Sequence, residues 1–335
     1  MYKVFFGLEK EPFVATPDPS FLYMTPGHRE ALAAISYAVL TRRGFAALVG
    51  EAGTGKTTLM SRLIQTVPPA KTTFSVLLNS AATPAEFLES VLLDFGLEDI
   101  PEGRARRLQR LNQFLISEHR EGRTCVLIID EAQTLSEAVL EEVRLLSNAE
   151  LPAEKLLQIV LAGQPELDAV LARPGLRQLQ QRLTVRAHVS PLRPAEVVEY
   201  LHFRWTKAGG REPVPFSRAA AETIAEISGG IPRMVNILCD NALLGAFSNN
   251  ERVVTPAAVV EAARSLRYAV TAAPVPHAAT GEAPRPVEEE IDPRGGAIPE
   301  PLPTLERYAA AATRKSRFFR WSAKLRWSAN PSGLA

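Results

Sequence analysis

The sequence predicts an α/β protein built on a parallel sheet, followed by a small all-helical domain and a tail. Five short apolar runs rich in β-branched and aromatic residues alternate with helical patterns over residues 28–189. This alternation is typical of a parallel sheet with helices on both faces. No strand pattern follows residue 193, whereas four helical patterns lie between residues 194 and 267. Proline then becomes frequent, since nine of the 26 prolines lie beyond residue 267.

Each element is predicted from the spacing of its apolar residues. The strands are predicted at Phe45–Val49, Thr73–Leu78, Cys125–Ile129, Gln158–Leu161 and Thr184–Val189. The helices among them are predicted at His28–Leu40, Lys56–Gln65, Pro84–Phe95, Arg104–Arg120, Ser136–Leu146 and Pro165–Leu171. The later helices are predicted at Pro194–Thr206, Ser217–Ser228, Pro232–Phe247 and Pro256–Leu266. Proline is favoured in the first turn of a helix, and Thr255 is a suitable N-cap for the last one.

The composition excludes several classes of protein. With 46% hydrophobic and 22% charged residues, the 335-residue chain can form a core and is not disordered throughout. Its net charge of +1 gives no support for nucleic-acid binding by the whole surface. Two cysteines without a Cys-x-x-Cys spacing argue against a disulfide framework. Because there is no apolar run of ~18–20 residues and no signal-peptide core, we expect a cytoplasmic protein.

The chain divides into four predicted segments. Residues 1–193 form the sheet domain, and residues 194–267 form the helical domain. Residues 268–304 are rich in proline and alanine and have few large apolar side chains, so we expect a disordered linker. Residues 305–335 combine aromatic residues with a run of cations from Arg314 to Arg326 that contains no acid.

The strongest motif is a glycine-rich loop that follows the first predicted strand and opens a helix. It fits the pattern G-x-x-x-x-G-K-[ST] with Gly50, Glu51, Ala52, Gly53, Thr54, Gly55, Lys56, Thr57 and Thr58. The glycines let the backbone wrap a phosphate, and the free N–H groups and the helix dipole attract the anion. We expect Lys56 to reach the β- and γ-phosphates of a nucleotide and Thr57 to hold Mg²⁺. An ordinary turn before a helix is the alternative.

A second motif is the apolar run Cys125–Ile129, which ends in Asp130 and Glu131. In nucleotide hydrolases with such a loop, a neighbouring strand delivers an aspartate to Mg²⁺. We expect Asp130 to fill that role and Glu131 to polarise a water against the γ-phosphate. The alternative is a buried strand followed by a helix N-terminus, where acidic residues are also favoured.

These motifs form part of a wider pattern that extends through most of residues 1–267. The matching segments include Phe6-Gly7-Leu8, Pro17-Asp18-Pro19, Ile129-Asp130-Glu131-Ala132-Gln133, Gly163-Gln164-Pro165-Glu166-Leu167 and Gly230-Ile231-Pro232-Arg233. In this pattern the chain resembles AAA+ ATPases of the general secretion pathway protein A (ExeA-type) family. The resemblance implies a three-layer αβα core, a helical lid, ATP and Mg²⁺ as cofactors, and a homo-oligomer. Relatives often continue into a membrane span and a peptidoglycan-binding region, and this sequence resembles a soluble variant without them.

The resemblance also implies roles for single residues. Gln164 resembles the polar sensor beside the attacking water, although a loop amide in a turn is the alternative. Arg233 resembles the second-sensor arginine of the lid, and a surface helix arginine is the alternative. His28 and Tyr37 are candidates for the adenine pocket, where ordinary helix packing explains them equally well.

An arginine finger, which acts on the nucleotide of a neighbouring subunit, has three candidates in the segment from Arg177 to Arg186, which runs into the last strand. Arg182 resembles the finger position best, because it lies just before that strand. Arg186 and Arg177 remain as the other two candidates. Such a residue neutralises charge on the transferred phosphoryl group.

The aromatic and basic stretch at residues 313–327 predicts a peripheral contact with the inner face of the cytoplasmic membrane. A protein partner, plain disorder or nucleic acid are the alternatives. We therefore expect an ATP-hydrolysing AAA+ protein that drives a secretion, exopolysaccharide or cell-envelope system. A DNA-dependent regulator of the transposition type and an ATP-binding scaffold with little turnover remain as alternatives.

Overall fold

Five parallel strands form one sheet in the order β2-β3-β4-β1-β5. The strands are β1 Phe45–Gly50, β2 Thr72–Leu77, β3 Thr124–Ile129, β4 Leu157–Gly163 and β5 Val185–Val189. This arrangement comes from a computed structural model, which describes residues 2–14, 18–68, 70–78, 83–152 and 154–268. The predicted α/β fold with a parallel sheet is thereby confirmed, and each predicted strand is present within two residues of its expected ends.

Helices cover both faces of this sheet. The helices of this part of the chain are α1 Tyr2–Phe6, α2 Pro26–Leu40, α3 Lys56–Thr66, α4 Pro84–Asp94, α5 Arg104–Arg120, α6 Glu137–Leu146, α7 Glu166–Leu171 and α8 Arg177–Gln180. Alternate residues of β1 face opposite layers: Ala46 and Leu48 pack with α2 and α3, whereas Phe45, Ala47 and Val49 pack with α4 to α7. Because β1, β3 and β4 are buried on both faces, their sequences are nearly continuous apolar runs, whereas the edge strand β5 alternates buried and more exposed residues.

The strand order brings three chain segments to one edge of the sheet. Strand β4 lies between β1 and β3, and all three run in the same direction. Their carboxyl ends therefore place the residues after Gly50, after Ile129 and after Gly163 side by side. In open α/β sheets this edge is where ligands bind.

The helices that follow the sheet pack together as the helical domain. They are α9 Pro194–Lys207, α10 Arg218–Ser228, α11 Pro232–Ser248 and α12 Pro256–Ser265. Their buried side chains form one apolar cluster that includes Leu201, Ile224, Leu243 and Val259. Ser217 and Thr255 accept hydrogen bonds from the first turns of α10 and α12, so side chains cap both helices.

The N-terminal segment packs into the core of the helical domain. The boundary at residue 193 groups it with the sheet domain, whereas Tyr2, Phe13 and Phe21 are buried in the apolar cluster of the helical domain. The guanidinium of Arg204 in α9 donates to the main-chain oxygen of Pro12 at 2.6 Å. These aromatic side chains need partners that so short a segment does not contain, and the helical domain supplies them.

Two further predictions concern parts of the chain that the structure leaves undescribed. The linker at 268–304, apart from Tyr268, and the basic aromatic segment at 305–335 lie outside the described residues. Among the described residues, none of the helices has the length and apolar character needed to cross a membrane.

We predict that Phe13→Ala destabilises the helical domain. Phe13 is 1% exposed and its ring lies 5.6 Å from that of Phe216, so truncation leaves a cavity and should lower the free energy of unfolding by about 3–5 kcal/mol. Val4→Ala is the control, because Val4 is 89% exposed and should change stability by no more than about 0.5 kcal/mol. Urea denaturation measures both. Equal effects of the two substitutions would show that the N-terminal segment does not pack as described.

Candidate functional site

The glycine-rich loop lies between β1 and α3, and α3 begins at Lys56. The Lys56 side chain is 4% exposed, and its ammonium donates to the main-chain oxygens of Gly50 at 2.7 Å and Glu51 at 3.0 Å. Burial lowers the pKa of Lys56, while the nearby charges of Glu131 and Asp130 oppose that shift. The loop therefore holds a buried cation beside the N-terminus of a helix, where anions are favoured.

Asp130 connects the end of β3 to this loop. Its Oδ2 accepts a hydrogen bond from the Thr57 hydroxyl at 2.7 Å, and its Oδ1 accepts from the main-chain N–H of Glu131 at 2.9 Å. Asp130 is 6% exposed, and burial raises the pKa of its carboxyl against the lowering effect of these two hydrogen bonds. A hydroxyl and a carboxylate in contact are the hard oxygen ligands that Mg²⁺ prefers.

Glu131 adopts a left-handed backbone conformation, with φ of 52°. Such a conformation is uncommon for a residue other than glycine and tends to occur at functional sites. Its carboxylate accepts from the amide of Gln133 at 2.6 Å and from the amide of Gln164 at 3.1 Å, both at Oε2. Burial raises the pKa of Glu131, but the two amide donors and the charge of Lys56 outweigh burial and lower it overall. The carboxylate is therefore kept ionised next to the loop.

Gln133 is a residue that sequence reasoning did not assign to the site. It lies in a short 3₁₀ turn after β3, Ala132–Thr134. The available signal was its position two residues after Glu131, within the matching segment that ends at Gln133. That spacing alone does not reveal where a side chain points, because the turn conformation decides it.

The helical domain touches the loop directly through the start of α11. The main-chain N–H of Arg233 donates to the oxygen of Gly53 at 3.2 Å. Gly53 has φ of 83°, and a Cβ there would lie 2.7 Å from Cβ of Arg233. Only glycine allows this approach of the two backbones. The Arg233 side chain itself is exposed, so the predicted site residue lies at the loop and its guanidinium is open to solvent.

His28 anchors the loop from the side of α2. Its Nε2 lies 3.0 Å from the main-chain oxygen of Thr54, which can only accept, so Nε2 carries the proton. Its Nδ1 then accepts from the Thr25 hydroxyl at 2.6 Å, and burial lowers the pKa of His28. Tyr37, the other candidate for the adenine pocket, is 52% exposed and bonds to Arg43. The structure thus brings His28 to the loop and does not bring Tyr37 there.

The three finger candidates lie elsewhere. Arg182 donates to the Ser147 hydroxyl at 2.6 Å, at the C-terminus of α6. It precedes β5, whose first residue pairs with Ala46 near the start of β1. The length of β1, roughly 16 Å, therefore separates Arg182 from the loop of its own subunit. Arg186 pairs with Asp168 at 3.2 Å, and Arg177 is exposed.

These side chains fit a nucleotide with a divalent cation. The loop supplies an ammonium and a helix N-terminus that no side chain of the described residues caps. Thr57 and Asp130 supply two oxygens in contact, and buried Asp130 has an unfavourable charge that a cation would stabilise. The residues present are therefore those that phosphates and Mg²⁺ require.

Comparison with known proteins agrees with this geometry. Residues 39–171 match the sequence model of a family described as AAA domain. The chain is 41% identical over 255 residues to general secretion pathway protein A of Aeromonas hydrophila, a match covering 76% of this chain. It spans 46% of that relative's length, which is less than half.

Solved structures show the same fold. Cdc6p of Pyrobaculum aerophilum is similar with a TM-score of 0.58 and 17% identity, over 76% of this chain and 72% of that one. The ORC2 protein of Aeropyrum pernix is similar with a TM-score of 0.57 and 16% identity, over 73% and 70%. These likenesses show the fold, and the family match shows that residues 39–171 form an AAA domain. The chain is in addition a relative of general secretion pathway protein A, as the sequence motifs predict.

We predict opposite effects for two glycine substitutions. Gly53→Ala forces a Cβ against α11 at positive φ, and should lower the free energy of unfolding by about 1–3 kcal/mol. Gly245→Ala lies inside α11 with open space around the new Cβ, and should raise stability by up to about 1 kcal/mol. Denaturant titration of both variants provides the measurement. A change of the same sign in both would contradict the close approach of α11 to the loop.

Proposed function

We propose that the chain binds ATP with Mg²⁺ and hydrolyses it. The observation that carries this proposal is the hydrogen bond from Thr57 to Asp130, beside buried Lys56 and ionised Glu131. Four groups that phosphoryl transfer needs, an ammonium, a hydroxyl and two carboxylates, thus lie at one edge of the sheet.

In the proposed mechanism Lys56 and the free N–H groups of the loop bind the phosphates. Thr57 and Asp130 hold Mg²⁺, which neutralises negative charge on the phosphates when it is bound. The ammonium of Lys56 already lies within the loop, held by two main-chain oxygens, so little reorganisation is needed before it meets a phosphate.

Glu131 acts as the base that takes a proton from the attacking water. Its lowered pKa keeps it ionised at neutral pH, which a base requires. Gln164 donates to the same carboxylate and lies at the end of the neighbouring strand β4, so it is suited to orient both the carboxylate and the water. Arg233 approaches the loop from the helical domain, so we expect the angle of that domain to change with the bound nucleotide.

We propose a role in a secretion, exopolysaccharide or cell-envelope system, and the relationship to general secretion pathway protein A supports the secretion setting. This setting is a proposal, because the chain spans less than half of that relative. We further propose that residues 313–327 contact the inner face of the cytoplasmic membrane or a protein of the system, since they combine cations with aromatic residues.

We predict that two substitutions separate nucleotide binding from turnover. Lys56→Ala removes the buried cation and should weaken ATP binding by at least about 10- to 100-fold. Glu131→Gln keeps the size of the side chain and should retain ATP binding, while its steady-state hydrolysis falls by about 10²–10⁴-fold. Fluorescent-nucleotide titration and phosphate release measure the two quantities.

Normal turnover by purified Glu131→Gln protein would contradict the role of Glu131 as the base. Binding by the wild type without turnover would instead favour the ATP-binding scaffold. Repeating phosphate release with duplex DNA and with anionic liposomes tests the DNA-dependent alternative. Stimulation by DNA that falls steeply with salt would favour that alternative, because phosphate contacts release counterions.

We also propose that the chain works as a homo-oligomer in which Arg182 acts on the nucleotide of a neighbouring subunit. AAA+ proteins commonly form oligomers, and Arg182 lies too far from its own loop to act there. A cation from a neighbour would neutralise charge that develops on the transferred phosphoryl group.

A mixing experiment tests this arrangement. Arg182→Ala and Lys56→Ala proteins should each lose about 10³-fold in turnover. A mixture should recover activity, because a Lys56→Ala subunit still supplies Arg182 to the ATP of an Arg182→Ala subunit. If the two proteins mix at random in equal amounts, about a quarter of the subunit interfaces combine an intact Lys56 on one side with an intact Arg182 on the other. Arg177→Ala is the control and should stay active; no recovery in the mixture would exclude Arg182 from a role between subunits.

A further inference from the structure

Two amide groups converge on a single oxygen of Glu131. The amide of Gln133 donates to Oε2 at 2.6 Å, and the amide of Gln164 donates to the same atom at 3.1 Å. The other carboxylate oxygen, Oε1, receives no hydrogen bond from any residue that the structure describes. The two oxygens of a chemically symmetric group are therefore placed in different surroundings.

Gln133 is fixed at both ends of its amide. Its Oε1 accepts the main-chain N–H of Gln164 at 3.0 Å, while its Nε2 donates to Glu131. The position of the amide also depends on Gly163, because a Cβ there would lie 2.8 Å from Oε1 of Gln133. A larger residue at the end of β4 would displace this amide. Gln133 thus connects the carboxyl end of β3 to the carboxyl end of β4 through side-chain atoms.

From this geometry we propose that Gln133 is a positioning residue, which holds Glu131 by Oε2 so that Oε1 accepts the proton of the attacking water. The proposal rests on the proposed ATPase activity and deepens it. Gln133 is not a catalytic residue in this role, because it acts on the reaction only through Glu131.

The physical reason lies in the freedom of a glutamate side chain. Three side-chain torsions let the carboxylate sweep over several ångströms and exchange its oxygens, whereas a general base must lie within about 3 Å of the proton that it takes. One hydrogen bond leaves the group free to swing about the shared oxygen. Two donors that follow different strands, one of them anchored to the main chain, hold Oε2 in one place, and the side-chain torsions then limit the positions that Oε1 can take.

The same contacts link Glu131 to the end of β4. Gln164 donates through its main chain to Gln133 and through its side chain to Glu131. A shift of Gln164 therefore moves the carboxylate by two routes, one direct and one through Gln133. Removal of Gln133 should break one route and leave the other, so some turnover should remain.

Two variants of Gln133 separate its donor from its acceptor. Gln133→Met keeps a similar length and loses both hydrogen bonds, whereas Gln133→Glu keeps the acceptor for Gln164, loses the donor to Glu131 and places a second carboxylate beside Glu131, which repels it. Both should lower kcat by about 10- to 100-fold, the usual loss when a supporting hydrogen bond to an active group is removed. The Kd for ATP and the KM should stay within about twofold, because Gln133 touches neither the loop nor Asp130.

The control variants are Gln178→Met and Gln178→Glu, which make the same changes at an exposed position of α8. Both should turn over as the wild type does. Thermal unfolding of all four proteins shows that any loss in kcat comes from folded protein. Gln133→Glu is a second check on folding, because its side chain can still accept the hydrogen bond from the main-chain N–H of Gln164.

A double-variant cycle tests whether Gln133 acts through Glu131. In a Glu131→Gln background, Gln133→Met should cause no further loss of residual turnover, because the group that it positions is no longer a base. A further loss equal to that in the wild-type background would overturn the proposal. So would wild-type kcat in Gln133→Glu, or an increase in the Kd for ATP equal to the loss in kcat.

The two proposals fail in different ways. If the wild-type protein binds ATP and shows no turnover under any condition, the proposed ATPase activity fails, and the role of Gln133 fails with it. If the wild type turns over and both Gln133 variants turn over equally fast, only the role of Gln133 fails. Measuring wild-type phosphate release first distinguishes these cases.

Discussion

The parallel pairing of β1 with β4 and of β4 with β3 is the constraint on which the site depends. This pairing places Lys56, Asp130 and Gln164, which are far apart in sequence, at one edge of the sheet. The charges there offset one another: the buried ammonium of Lys56 lies in the field of two carboxylates, and each carboxylate has hydrogen-bond donors of its own. Removal of Lys56 would take away the positive charge that stabilises both carboxylates.

Much of the fold could be predicted from the sequence, because β1, β3 and β4 are nearly continuous apolar runs and the helices have clear periodicity. The helix at Arg104–Arg120 is present with its predicted bounds. The glycine-rich loop and the Asp130–Glu131 pair were also predictable, since both depend on short spacings along the chain. Gln133 was not, because its contact with Glu131 depends on a left-handed turn that no neighbouring residue signals.

The N-terminal segment shows the same limit on a larger scale. Its aromatic residues predict burial and do not indicate which domain buries them. The helical domain provides that burial, while His28, a few residues further on and hydrogen-bonded to Thr25, contacts the glycine-rich loop at Thr54. This segment is thus packed against the helical domain, which itself contacts the loop at Gly53. The same segment is also hydrogen-bonded to the loop at Thr54. Movement of the helical domain would therefore reach the loop at Gly53 and at Thr54.

This packing also affects how the chain folds. The hydroxyl of Tyr2 donates to Asp240, a contact between residues 238 positions apart. During synthesis the first residues leave the ribosome early, whereas their partners in α11 are made more than two hundred residues later. At about 5–20 residues per second, these aromatic side chains stay without their native partners for some 10–50 seconds. The core of the helical domain thus depends on long-range contacts and closes late, so the aromatic side chains of the N-terminal segment stay unburied on the nascent chain until the helical domain has been made.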